Sequence, residues 1–128
     1  MYIKYALLAA VGGAIGAAAR YLVNVLTLHL FGPGFPWGTL TVNIAGSFIM
    51  GLFIGLGALR FDFSNEVRVL IATGILGGFT TFSAFSLDFV TLFERKDYGL
   101  AAIYLAGSAG LSILALFAGL IIIRQWLS

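Results

Sequence analysis

The chain has 128 residues, of which 61% are hydrophobic and 9% charged, and its mean hydropathy is +1.07. Soluble domains carry about 25% charged residues, so this composition excludes a soluble globular protein and points to an integral membrane protein of a single domain over residues 1–128. Seven Lys and Arg against five Asp and Glu, scattered singly, give a net charge of +2 and no basic patch for nucleic acid. The absence of cysteine removes disulfides and thiol chemistry.

About 20 apolar residues cross about 30 Å of hydrocarbon, and four stretches meet that length: about 5–31, 38–59, 67–92 and 98–123. The first runs past signal-peptide length without a cleavage site, so it is expected to be a membrane span. It ends at Gly32-Pro33-Gly34-Phe35-Pro36, which holds both prolines of the chain. In this span Gly12, Gly16, Arg20 and Asn24 fall on one helix face, because residues four apart drift by only about 40°. Small residues at that spacing let helix backbones approach closely in lipid. Arg20 costs about 2.5–3.5 kcal/mol if it sits at the bilayer centre. It either snorkels to the interface or faces a polar interior.

The second span carries the stripe Thr39, Asn43, Ser47, Gly51 and Gly55. An intramembrane asparagine is expected to face the bundle interior. Two roles stand open for Asn43: an interhelical hydrogen bond, or coordination of an anion through its amide. The third span contains Gly77-Gly78-Phe79-Thr80-Thr81-Phe82-Ser83-Ala84-Phe85-Ser86. Adjacent glycines mark it for interruption, either as a packing kink or as a break whose freed carbonyls hold a cation. Phe82 and Phe85 are about 60° apart on the helix; such a pair usually faces lipid or core. A phenyl ring edge is electropositive, so the pair also suits the wall of a small-anion path. Asp88, at the far end of this span, can cap, pair with a cation or face a vestibule, and the sequence does not choose among these. In the fourth span Tyr104, Ser108 and Ser112 align over about 12 Å. Their hydroxyls either bond back to their own helix or form a polar line for an ion.

Four spans place both termini on one side, with Lys4, Arg60, Arg68 and Arg124; Arg20, Arg95 and Lys96 lie towards the other. An excess of one cation (four against three) hardly specifies orientation: either one positive residue near the first helix or a partner decides it, or copies insert both ways and pair antiparallel in a dual topology. Every acid, Asp62, Glu66, Asp88, Glu94 and Asp97, lies in a loop or near a span end. That argues against a proton-coupled exporter, which needs an embedded carboxylate. An accessory scaffold subunit would explain the glycines but not the Asn43, Phe82 and Phe85 set. With no metal-ligand cluster and no histidine beside a serine and a carboxylate, an enzyme is not expected.

The 77–86 run, together with Trp37-Gly38-Thr39-Leu40-Thr41-Val42-Asn43, Gly46, the early Gly12-Gly13-x-x-Gly16-x-x-x-Arg20 pattern and the Tyr104, Ser108, Ser112 line, resembles the Fluc (CrcB) fluoride channels over the whole chain. The resemblance implies an all-α membrane protein of four transmembrane helices with a broken third helix, paired as an antiparallel dual-topology homodimer in the cell membrane among its lipids. It implies two fluoride pores per dimer and passive fluoride efflux that protects the cytoplasm. Asn43, Phe82, Phe85, Tyr104, Ser108 and Ser112 match the fluoride path, and Arg20 matches a vestibule arginine. The backbone carbonyls of Gly77 and Thr80 match those that hold a structural sodium ion, two from each subunit. Conductance, the positions of the fluoride sites and a homodimer against a heterodimer with a paralogue are not legible in the sequence.

Overall fold

The computed structural model describes residues 2–59 and 62–127; Arg60, counted above in the charge balance, lies outside the described residues. The architecture is helical: α1 (Tyr2–Phe31), α2 (Trp37–Leu59), α3 (Asn65–Arg68), a π-helical stretch (Val69–Leu76), α4 (Gly77–Phe79), α5 (Phe82–Glu94) and α6 (Tyr98–Leu127). Four helical segments are long and apolar enough to cross a membrane, the third running Asn65–Glu94 across the junction of α4 and α5.

Local chemistry sets the ends. α1 closes on Gly32, whose φ of 78° is a left-handed conformation open to glycine at little cost. Its N–H returns to the Leu28 carbonyl at 2.9 Å. Pro36 then gives way to α2. Ser64 caps α3 by accepting from the Val67 N–H at 3.3 Å. At the end of α5, Lys96 takes the left-handed position (φ 64°), while the Asp97 N–H reaches back to the Leu92 carbonyl at 3.0 Å. This six-to-one closure satisfies a terminal carbonyl before α6 begins.

Glycines set the packing. Gly12 of α1 lies on Gly74 of the π-helical stretch, where a Cβ on Gly74 would stand 2.8 Å from the Gly12 Cα. A Cβ on Gly16 would overlap the Ile75 carbonyl oxygen and come within 2.7 Å of the Phe79 nitrogen. Gly51 of α2 and Gly119 of α6 make the matching contact on the other side, where a Cβ on Gly119 would be 2.8 Å from the Leu52 nitrogen. The glycine stripes are therefore places where backbones touch, which is how helices gain contact where lipid offers no hydrophobic drive. Phe85, Leu92, Ala101 and Tyr104 form the small buried cluster that ties α5 to α6, with Phe35, Leu40 and Phe89 against it.

The interruption of the third span falls elsewhere than at Gly77-Gly78. Both glycines are helical. The extended residues are Thr80 (φ −85°, ψ 158°) and Thr81 (φ −154°, ψ 126°). Gly78 is needed for close approach to α1, since its Cβ would stand 2.7 Å from the Gly13 carbonyl oxygen. The backbone turns instead where Thr81 can cap α5, accepting from the Ala84 N–H at 3.1 Å.

Candidate functional site

A cleft of about 370 Å³ opens between α2, the Thr80-Thr81 junction and α6. It gathers Asn43, Thr80, Phe82, Phe85, Ser108 and Ser112, contributed by three of the four spans. No Asp, Glu, Lys, Arg or His is among the residues that line it.

Each lining group has a different degree of freedom. The Asn43 amide is used on the chain itself: its Oδ1 accepts from the Thr81 N–H at 2.8 Å and its Nδ2 donates to the Thr81 carbonyl at 3.1 Å. One amide N–H of the two remains for another acceptor. Phe85 is buried, 7% exposed, whereas Phe82 is 79% exposed. Their rings meet at 61° with centroids 5.6 Å apart, an edge-on arrangement.

Several hydroxyls are used on their own helix. Thr27, Thr80, Ser86 and Thr91 each donate to the carbonyl four residues back, at 2.8–3.0 Å. Ser112 does not. Its Oγ is buried and, among the described residues, has no hydrogen-bond partner. Such a group costs about 1–3 kcal/mol and calls for an explanation. Ser108, 3% exposed, sits one turn earlier on the same side of α6.

Tyr104 lies behind the cleft. It is fully buried, with its ring 5.1 Å from Phe85 and 5.5 Å, edge-on, from Phe35. Its O–H donates to Asp88 Oδ2 at 3.1 Å. Asp88 lines a second cavity, about 360 Å³, with Asn24, Thr39, Thr91 and Arg95. Tyr104 thus stands between the two cavities, touching the wall of one and hydrogen-bonded to the wall of the other. Asp88 faces this second cavity, and its acceptance from Tyr104 is a role beyond the three that the sequence left open. Arg95 of that cavity donates to the Gly34 carbonyl at 3.1 Å and pairs with Asp97. Arg20 lines neither cavity. Its Nε donates to the Gly78 carbonyl at 3.1 Å, so it braces the interrupted span from α1.

Gly77 is exposed on the outside of the bundle, and Thr80 opens on the cleft. Thr81, which pairs with Asn43 and caps α5, is the residue of this site that sequence reasoning passed over. A threonine three residues before Ala84 has cap spacing, and that was the available signal.

Four apolar helices of spanning length define a multi-pass integral membrane protein, with a cleft between its helices that no charged side chain lines. Comparison with known proteins gives its family. Residues 7–120 match the family described as CrcB-like protein, Camphor Resistance (CrcB), and the chain belongs to that family. It is 57% identical over 119 residues to the fluoride-specific ion channel FluC of Rhizobium etli, covering 93% of this chain and 95% of that one. The FluC channels of Agrobacterium fabrum (57% over 118 residues, 92% and 94% covered) and Cereibacter sphaeroides (53% over 119 residues, 93% and 94% covered) are similar throughout their length. Like them, it is a protein of the cell membrane.

Proposed function

We propose that the chain is a fluoride-selective ion channel for passive fluoride efflux. The observation that carries this is the cleft: Ser112 holds a buried hydroxyl without a protein acceptor beside two phenyl rings and a spare Asn43 N–H, with no charged side chain in the lining. These groups donate to a small anion without a fixed positive charge that would trap it. The relatives named as fluoride-specific channels supply the identity of the ion. A proton-coupled exporter would need a carboxylate in this cleft; none lines it, and Asp88 lies in the lining of the other cavity.

The functional unit is an antiparallel dual-topology homodimer embedded in membrane lipid. Supporting it, Phe82 of a single chain is 79% exposed and Gly77 lies open on the surface. The near-even split of cations across the membrane leaves both orientations accessible. A structural sodium ion is held at the junction by the carbonyls of Gly77 and Thr80. The donor set fits a hard cation: both are neutral backbone oxygens next to a helix interruption. When bound, the ion supplies a positive charge that ties the two chains' interrupted spans together.

Fluoride-loaded liposomes test the transport reading. Rapid efflux without proton coupling and with chloride excluded is expected; chloride leaving as fast as fluoride would refute selectivity. A cysteine introduced in the 60–66 loop is expected to label from both sides of a cell membrane, and labelling from one side alone would refute dual topology.

A further inference from the structure

We propose that Asn43 and Thr81 are positioning residues that release the carbonyls of Gly77 and Thr80 for a cation. This rests on the sodium reading above and adds the device that creates the site.

In an uninterrupted α-helix the Gly77 carbonyl accepts from the N–H of residue 81, and the Thr80 carbonyl from that of residue 84. Both donors are diverted to side chains. The Thr81 N–H donates to Asn43 Oδ1 at 2.8 Å, and the Ala84 N–H donates to Thr81 Oγ1 at 3.1 Å. Neighbouring carbonyls are kept occupied. Leu76 accepts from both the N–H and the hydroxyl of Thr80 at 3.0 Å. Gly78 accepts from Arg20 Nε, and Thr81 from Asn43 Nδ2, each at 3.1 Å. Four side chains thus sort the oxygens of the junction, satisfying Leu76, Gly78 and Thr81 while removing the helical donors of Gly77 and Thr80.

The residue types follow from this task. A side-chain amide sets a donor and an acceptor side by side, matching the N–H and the C=O of one extended residue, Thr81. Aspartate would pair with the Thr81 N–H but oppose its carbonyl. Thr81 needs a hydroxyl to hold the Ala84 N–H, and its β-branched side chain also suits extended backbone. The Thr80 methyl is seated on Gly46, where a Cβ would collide with it. Its hydroxyl is already committed to Leu76, so its carbonyl is the oxygen left over. A packing role alone would make Asn43 and Thr81 matter to stability equally with or without sodium.

The test uses the full chain in detergent, with thermal unfolding followed as N-methylglucamine is replaced by sodium at constant ionic strength. The wild-type midpoint is expected to rise with sodium. Thr81→Val leaves the Ala84 N–H, and Asn43→Leu the Thr81 N–H, without the side-chain acceptor that holds the extended junction in place. Each is expected to raise the sodium concentration of the half-maximal effect about 10–100-fold, the usual cost of losing a partner that orients a metal ligand. Thr81→Ser retains the wild-type response. Should Asn43→Leu fail to fold, Thr81→Val carries the test. If wild type responds and both variants respond at the same sodium concentration, the positioning role is overturned. If wild type itself shows no sodium response, the sodium reading fails and takes this inference with it.

Discussion

Ser112→Ala separates a transport role from a structural one. Thr27, Thr80, Ser86 and Thr91 each bond back to their own helix. Ser112 keeps its Oγ buried and unpartnered. Removing it breaks no protein hydrogen bond and relieves a desolvated polar group, worth about 1–3 kcal/mol. The variant is therefore expected to unfold at the same temperature as wild type or higher. A hydrogen bond from this hydroxyl to a passing anion is worth about 1.5–3 kcal/mol, which at 1.4 kcal/mol per decade is roughly 10–100-fold in its occupancy. Fluoride efflux from liposomes at matched protein density is expected to fall at least about tenfold, and Ser112→Thr, which keeps an O–H, to lose less. A variant that is destabilised by more than about 1 kcal/mol yet conducts normally would refute the reasoning, since it would mean that the hydroxyl serves the fold.

Gly16→Ala is expected to destabilise by about 1–3 kcal/mol, because its Cβ meets the Ile75 carbonyl and Phe79 nitrogen; Gly13→Ala, with nothing within 4 Å of its Cβ, is expected to be neutral in the same thermal-unfolding measurement. Tyr104→Phe removes the donor to Asp88 and is expected to cost about 1.5–3 kcal/mol, with Leu as a more damaging replacement because the ring packs on Phe85 and Phe35. Phe82→Ile and Phe85→Ile are both expected to reduce fluoride flux strongly, but only the buried Phe85 to lower thermal stability markedly; unchanged flux in both would return the rings to a packing role.

The spans were legible because membrane insertion imposes one dominant constraint, a long apolar run, and this chain meets it four times with polar or proline-glycine breaks between. The glycine stripes were legible as contacts, though not which helix met which. Gly12 finding Gly74, and Gly51 finding Gly119, depends on how the helices assemble. The interruption of the third span was legible as a region and misplaced by a few residues. Glycine propensity points to Gly77-Gly78, but tertiary packing uses Gly78 against α1. The turn is fixed by Asn43, which is 38 residues away from Thr81 in sequence. Asp88 was indeterminate for the same reason, because Tyr104, its partner, comes from another helix. The π-helical Val69–Leu76 stretch was not read from the sequence; its widened turns lie where Gly74 packs on Gly12 of α1.

The junction also bears on whether one chain suffices. A carbonyl in contact with hydrocarbon and without a donor costs several kcal/mol, and here the helical donors of Gly77 and Thr80 are engaged elsewhere. Gly77 sits on the outer surface of the bundle, and the most exposed residue of the cleft's phenylalanine pair, Phe82, is nearby in sequence on the same junction. A lone chain in lipid would carry both penalties, and its cleft would be a trough with one side open. Covering the surface with lipid supplies no hydrogen-bond donor and no positive charge. In the proposed antiparallel dimer, a second copy would bring Gly77 and Thr80 carbonyls from two chains together, where one cation would serve them all, and would set a second surface against Phe82. The proposed antiparallel dimer and the proposed sodium ion therefore answer the same physical problem, and a sodium-free preparation is expected to dissociate to monomers more readily than a sodium-bound one.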